Sequence, residues 1–370
     1  MKFIVKTFEG LEEVLYKELI EKGFQKTKLL RRAVSFIGNL EDLYRANYTL
    51  SLGLRILQQI YYEKVSNEQQ FYQFIYDVPW HRYFTVDKSF RVDVVLLTER
   101  FKNSLFLAQK AKDAIADRFR KEVNERPAVD TRKPQVIINI HITDLEVTLS
   151  LDSSGDTLNR RGYRDYQGLA PLNEVLARGL LKLSGWNSNM PLLDPMCGSG
   201  TIAIEATYEA NNIPTGYLRN QYAFMNWTDF DKDLWKKVRE KAQSEIKNAK
   251  LKIVGADMDD RVLLAAKKSI QKLPYSQSTL FIENDFLKNN IPFQNGYIIS
   301  NLPYDERIEV ENINHFYNNV GTQLKFNYKS NRIWLLMSKE YAKFMSLKPK
   351  KKINLLNGKI ECTFNEYEVY

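Results

Sequence analysis

The residues best placed to do chemistry are Asn301-Leu302-Pro303-Tyr304, which follow the apolar run Tyr297-Ile298-Ile299-Ser300. An exocyclic amine on an aromatic base is a poor nucleophile because its lone pair is delocalised into the ring. A side-chain carbonyl and a neighbouring backbone carbonyl, here Asn301 and Leu302, can each accept one amine hydrogen and draw the nitrogen toward pyramidal geometry. Pro303 biases Leu302 to extended backbone, which presents that carbonyl. Tyr304 offers an aromatic face to a base taken out of its stack. Taken alone, Asn-x-Pro-Tyr also describes an ordinary strand-end turn, so its meaning depends on what precedes it.

Upstream, Leu192-Leu193-Asp194 runs into Pro195-Met196-Cys197-Gly198-Ser199-Gly200-Thr201. This pattern predicts a buried strand, a glycine turn that brings backbone close to a ligand, and a helix capped by Thr201. A phosphate-cradling loop would carry a lysine after the second glycine, and a dinucleotide fingerprint a third glycine; both are missing. A tight strand-to-helix connection with no ligand remains the plain alternative. Two more apolar runs end in acid. Lys252–Asp257 precedes Met258, and Leu280–Asp285 precedes Phe286. A carboxylate at a strand end can accept from both hydroxyls of a ribose, and Asp285 could accept from an adenine amine while Phe286 packs on the ring. Acidic residues at all three places favour a cationic, hydroxylated ligand over a phosphate. S-adenosylmethionine, with its sulfonium, ammonium and ribose, fits. His81, His141 and His315 are isolated, and no metal-ligand spacing is present.

Elements must hold these residues in place, and composition bounds them. The chain has 370 residues, enough for two or three domains. Hydrophobic content is 44% and mean hydropathy −0.42, the profile of a soluble protein with a sizeable core. No apolar run is long enough for a membrane-spanning helix, the N-terminus lacks a signal-peptide core, and two cysteines give neither a disulfide framework nor a zinc site. A cytoplasmic setting is expected. The net charge of +9 and pI of about 9.2 suit a polyanionic partner.

In chain order, strand and helix signals over residues 1–60 follow β-α-β-β-α-β and predict a ferredoxin-like domain. Residues 61–154 carry helical spacing at Gln69–Tyr76 and Leu105–Glu122, a strand at Ser89–Leu96 and a hairpin over Val136–Leu151, an arrangement suited equally to an RNA-binding α/β module and to an ordinary domain with a solvated basic helix face. Residues 155–187 read as a linker and leading helix from Ala170-Pro171. The linker's Arg160, Arg161, Tyr163 and Arg164 could hold phosphates and stack on a base, or simply be solvated. Residues 188–370 form an α/β catalytic unit with an insertion at 211–250, whose aromatics read as local core, and a closing hairpin signalled by Asn357-Gly358. Lys350, Lys351 and Lys352 at the hairpin base could touch RNA phosphates, or simply form a charged turn.

Three segments together, Asp194–Thr201, the lead-in Arg160-Arg161-Gly162-Tyr163-Arg164…Ala170-Pro171-Leu172-Asn173-Glu174, and Asn301–Tyr304, resemble the THUMP-domain RNA guanine-N2 methyltransferases, nearest the bacterial 23S ribosomal RNA enzymes. The resemblance covers essentially the whole chain. It implies an α/β fold in which a ferredoxin-like and THUMP half captures RNA and a Rossmann-like class I half uses S-adenosylmethionine. Two positions depart from the family pattern: Leu302 stands where Pro is commonest, and Asp305 often stands as Gly. The backbone carbonyl survives the first change; the second could alter base entry. A tRNA guanine-N2 enzyme, an adenine-N6 enzyme and an idle RNA-binding factor stay open as alternatives, and oligomeric state is not readable.

Overall fold

A computed structural model of the chain describes residues 1–164, 171–304 and 313–369. Asp165, Tyr166 and Ala170 of the lead-in, and Asp305, Glu306 and Arg307 after the tetrapeptide, lie outside them.

The N-terminal half is one seven-stranded sheet. Strands β1 (Lys2–Lys6), β2 (Gln25–Leu30), β3 (Ala33–Ile37) and β4 (Arg55–Lys64), with helices α1 (Glu12–Glu21) and α2 (Leu40–Thr49), follow the anticipated β-α-β-β-α-β order. Helix α2 starts at a capping box in which Asn39 accepts from the Asp42 amide and Asp42 from the Asn39 amide. The next layer adds α3 (Glu68–Asp77), β5 (Phe90–Leu97), α4 (Ser104–Val123), β6 (Val136–Thr143) and β7 (Glu146–Asp152). Spatial order is β2-β3-β1-β4-β7-β6-β5. The division drawn at residue 60 falls inside β4, which pairs with β1 through Arg55–Gln59 and with β7 through Leu57–Lys64. The ten residues of β4 serve both units, so the two share one sheet rather than a linker.

The C-terminal half is a second seven-stranded sheet, built from β8 (Leu192–Asp194), β9 (Ile253–Asp257), β10 (Thr279–Glu283), β11 (Tyr297–Asn301), β12 (Arg332–Ser338), β13 (Lys351–Asn357) and β14 (Ile360–Tyr367). Its order is β10-β9-β8-β11-β12-β14-β13, with β8–β12 parallel and β14 antiparallel to β12. Helices α5 (Glu174–Leu183), α6 (Thr201–Ala210), α7 (Lys232–Ser244), α8 (Asp260–Ile270) and α9 (Ile313–Asn327) complete it. This is a doubly wound, Rossmann-like sheet whose strand order reverses between β8 and β11, the crevice where such sheets bind ligands.

Three local expectations are corrected. Helix α5 begins at Glu174, not at Pro171, because Asn173 caps it by accepting from the Val175 amide at 2.9 Å. Gly200, in left-handed conformation (φ +77°), is the N-cap of α6; Thr201 is the first helical residue, and its hydroxyl accepts from Arg164 Nη2 instead. The hairpin turn is Gly358-Lys359, since Asn357 pairs with Ile360 as the last residue of β13.

The 211–250 insertion does more than pack locally. Tyr44 and Tyr48 of α2 meet Phe224 at 4.6 Å and Trp235 at 5.5 Å between ring centroids, and the Gly216 amide donates to the Tyr48 carbonyl. Each such aromatic pair adds roughly 0.5–1.5 kcal/mol beyond its buried area, so the insertion fastens the N-terminal sheet to the catalytic one. Arg219 from the same insertion donates to the carbonyls of Ser154, Asp156 and Thr157, which pins the segment read as a linker. Among the described residues no helix is long and apolar enough to cross a membrane.

Candidate active site

The carboxyl ends of β8, β9 and β11 converge. At the end of β8, Asp194 is 2% exposed and accepts from the Ser300 hydroxyl at 2.7 Å. Burial pushes its carboxyl up to about 7; the Ser300 hydroxyl and Met196 amide pull it down, and the Asp257 charge raises it. Ser300 is itself fully buried next to Asn301, so it ties Asp194 to the tetrapeptide strand. Sequence reading passed over Ser300, because a lone serine inside an apolar strand gives no signal of its partner.

The glycine turn is stitched to β9. Asp257 accepts from the Gly198 amide at 2.8 Å and from the Asp259 amide at 3.1 Å, and the Cys197 amide donates to the Ala256 carbonyl. A Cβ on Gly200 would come within 2.6 Å of the Phe281 ring, which makes that glycine obligatory for packing as well as for φ. A Cβ on Gly198 (φ +53°) would meet nothing within 4 Å. The turn is therefore open above Gly198 and closed beneath Gly200, as a cradle that lets a ligand approach backbone must be. Pro195 and Cys197 are buried beneath it, Ser199 is half-buried, and Met258 stands 70% exposed beside Asp257. A buried acid, an acid on the rim and open backbone between them fit the ammonium, ribose and sulfonium-linked chain of S-adenosylmethionine.

The third acidic position differs from expectation. Strand β10 stops at Glu283, and Asp285 lies in the following turn, accepting from the Leu287 amide at 3.0 Å and pairing with Lys288 at 2.9 Å. The Lys288 ammonium holds its carboxyl below the usual range. Phe286 does not line an open surface: its ring is 3% exposed and packs on Tyr328 at 5.4 Å.

In the tetrapeptide, the Asn301 side-chain carbonyl is buried and has no hydrogen-bond partner among the described residues. An unpaired buried acceptor costs about 1–3 kcal/mol. The Leu302 amide donates to Leu336 of β12, continuing the sheet, and the Pro303 carbonyl accepts from the Tyr317 hydroxyl at 3.2 Å. Tyr304 is 8% exposed, and its hydroxyl accepts from Asn357 Nδ2.

The arginine lead-in is not a phosphate surface. Arg161 is buried: its Nε faces Glu205 at 3.4 Å, Nη1 donates to Leu158 and Nη2 to Ser51. Glu205 also pairs with Arg178, which pairs with Glu209, which pairs with Lys182. Burial raises the Glu209 carboxyl, but Arg178 and Lys182 outweigh it and hold it at about 2. Tyr163 is fully buried against Tyr208, and Arg164 spans Glu174, the Leu172 carbonyl and Thr201. Only Arg160 of the four is exposed, 3.7 Å from Asp156. The type and spacing of these residues said cation and ring; their partners, far along the chain, made them structural. Lys350 pairs with Glu368 at 2.7 Å, while Lys351 and Lys352 are exposed at the start of β13. Six residues at about 3.3 Å each put them roughly 20 Å from Asn357 at the strand's other end.

Comparison with known proteins places this geometry. Residues 2–57 match an RlmL ferredoxin-like domain, 65–152 a THUMP domain, and 161–366 an RMKL-like methyltransferase domain. A Synechocystis sp. protein provisionally named an RNA methyltransferase is 34% identical over 98% of this chain and 95% of its own length. The ribosomal RNA large subunit methyltransferase K/L of Shewanella frigidimarina is 34% identical over 98% of this chain and 52% of its own, so the chain spans about half the length of that relative. Among solved structures, SMU.472, a provisionally named methyltransferase complexed with SAH, is 25% identical with a TM-score of 0.88, covering 100% of this chain and 98% of its own.

Proposed function

The chain belongs to the family of S-adenosylmethionine-dependent RNA methyltransferases that join ferredoxin-like, THUMP and RMKL-like methyltransferase domains, and from that premise we propose that it methylates N2 of a guanosine in 23S ribosomal RNA. The observation that carries the proposal is the buried carbonyl of Asn301 at the switch point, without a partner among the described residues and one residue from the Ser300–Asp194 link. An amine hydrogen of the target base is the donor that this acceptor lacks. The ribosomal choice is supported by the name of the K/L relatives, the guanine-N2 choice by the likeness of the tetrapeptide and lead-in.

When bound, S-adenosylmethionine supplies a methyl group on a sulfonium, an electrophile already activated. The protein's task is then orientation. Asn301 and the Leu302 carbonyl accept the two amine hydrogens and turn the nitrogen lone pair toward the methyl carbon. Tyr304 supports the plane of the base, and the proton lost after transfer passes to water. Asp194 holds the ammonium end of the cofactor, Asp257 the ribose hydroxyls, and the open backbone at Gly198 lies between them. Lys351 and Lys352, at the end of β13 opposite Asn357, meet phosphates several nucleotides from the target, at a distance the hairpin sets.

Labelled S-adenosylmethionine supplied with unmodified 23S ribosomal RNA and, separately, with unmodified transfer RNA, followed by nucleoside digestion, tests this. The expected product is N2-methylguanosine with the wild-type protein and none with Asn301→Ala. Label in N6-methyladenosine, or in transfer RNA only, would replace the substrate; equal transfer by both proteins would remove Asn301 from the reaction.

A further inference from the structure

Asn357 does not serve the turn its sequence advertises. It pairs with Ile360 at the end of β13, the turn residues are Gly358 and Lys359, and its side chain is left free for another use. That use is at the candidate active site, because Asn357 Nδ2 donates to the hydroxyl of Tyr304. The hairpin tip reaches Tyr304 because β14 runs antiparallel to β12, with Cys362 opposite Ser338, so the tip lies at the carboxyl end of the parallel strands.

We infer that Asn357 is a positioning residue, which fixes the ring of Tyr304 against the target base. The inference rests on the role given to Tyr304 above. A tyrosine side chain has two rotatable angles, and its hydroxyl is the atom farthest from the backbone. Pinning that atom fixes the tilt of the whole ring. The other end of the segment is held too, since Tyr317 of α9 donates to the Pro303 carbonyl just before it. Burial raises the Tyr317 phenol strongly, so it stays protonated and remains a donor at any working pH. Tyr304 is thus held between a helix on one side and the hairpin tip on the other, and the closing hairpin becomes part of the reaction site rather than only an edge of the sheet.

The test uses labelled S-adenosylmethionine and unmodified total RNA, with Asn357→Ala, the near-isosteric Asn357→Leu, Tyr304→Phe, Tyr304→Ala and the Asn357→Ala/Tyr304→Phe pair. Losing the pin is expected to lower kcat about tenfold, a fraction of what a misplacement of about 1 Å can cost, with cofactor affinity within about twofold of wild type. Asn357→Ala in the Tyr304→Phe background should add nothing, because the shared hydrogen bond is already gone. Multiplicative losses in the pair, or wild-type turnover by both folded Asn357 variants while Tyr304→Ala is impaired, would overturn the inference and leave the role of Tyr304 standing. Wild-type turnover by Tyr304→Ala would remove that role itself. A readout independent of turnover is the Tyr304 signal in spectra of ring-carbon-labelled tyrosine, assigned by its loss in Tyr304→Phe. It should move in Asn357→Ala, and an unmoved signal also overturns the inference.

Discussion

Two short polar segments, Arg160–Arg164 and Asn301–Tyr304, look alike as sequence: each mixes hydrogen-bonding and aromatic residues. In the structure they part. The nitrogens of Arg161 meet Glu205, Leu158 and Ser51, and Arg164 reaches Thr201 under the glycine turn. The carbonyl of Asn301, buried as well, meets nothing among the described residues. Desolvating a polar group is costly unless it finds a partner. Where the partner is already present, the segment is holding the fold together. Where it is missing among the described residues at the switch point of the sheet, the acceptor is the place we propose for the target amine.

The sharpest way to break this contrast is Arg161→Met, which leaves Glu205 buried with one partner fewer. Removing one member of a buried ion pair costs about 3–5 kcal/mol, so urea unfolding should show a loss of that size, while RNA affinity of the remaining folded protein stays near wild type. A large affinity loss without destabilisation would restore Arg161 as an RNA contact. Asn301→Ala should do the opposite. It should lower kcat by about 10²–10³-fold, the scale of losing one preorganised hydrogen-bonding group, with unfolding unchanged or slightly harder because an unpaired acceptor has been removed.

Asp194 sharpens the comparison through pH. Its folded carboxyl sits at about 7, above the unfolded value, so the protonated form favours the folded state. Stability from this group is full below the unfolded value near 4 and is lost as pH rises through about 7. With Asp194 holding the ammonium as proposed, cofactor binding is expected to have the reverse dependence, since the ammonium needs the carboxylate. Titration calorimetry should show affinity falling as pH drops below about 7, by up to about tenfold per unit. Asp194→Asn should flatten both profiles; an unchanged binding profile would detach Asp194 from the cofactor. The smallest effect belongs to Lys351→Ala/Lys352→Ala, where loss of phosphate contacts lowers the slope of affinity against salt by roughly 0.7–0.9 per contact. Arg160→Ala offers the matching control in the lead-in.

The glycine turn and the ends of β8, β9 and β11 were legible because each is local. An apolar run followed by an acid or an asparagine states a strand and what stands at its end. The ferredoxin-like order was legible for the same reason, from alternation and helical spacing. Asp285 and Phe286 fall just past the strand rather than at its end, because strand ends are uncertain by a residue or two and β10 stops at Glu283. The insertion's role was hidden since its aromatics read as core without saying whose core; Tyr44 and Tyr48, about 180 residues earlier, supplied the answer.

By itself, then, the sequence determined which groups stand at the ends of the catalytic strands and what chemistry they can do. Backbone periodicity and turn chemistry act within a few residues and need no partner. Only the tertiary structure decided which polar side chains are already satisfied: Arg161 spent on Glu205, Asn357 on Tyr304, Ser300 on Asp194. Those pairings cross separations of 44, 53 and 106 residues. A hydrogen bond lasts over such distances only when packing has first brought its two ends together and kept water out.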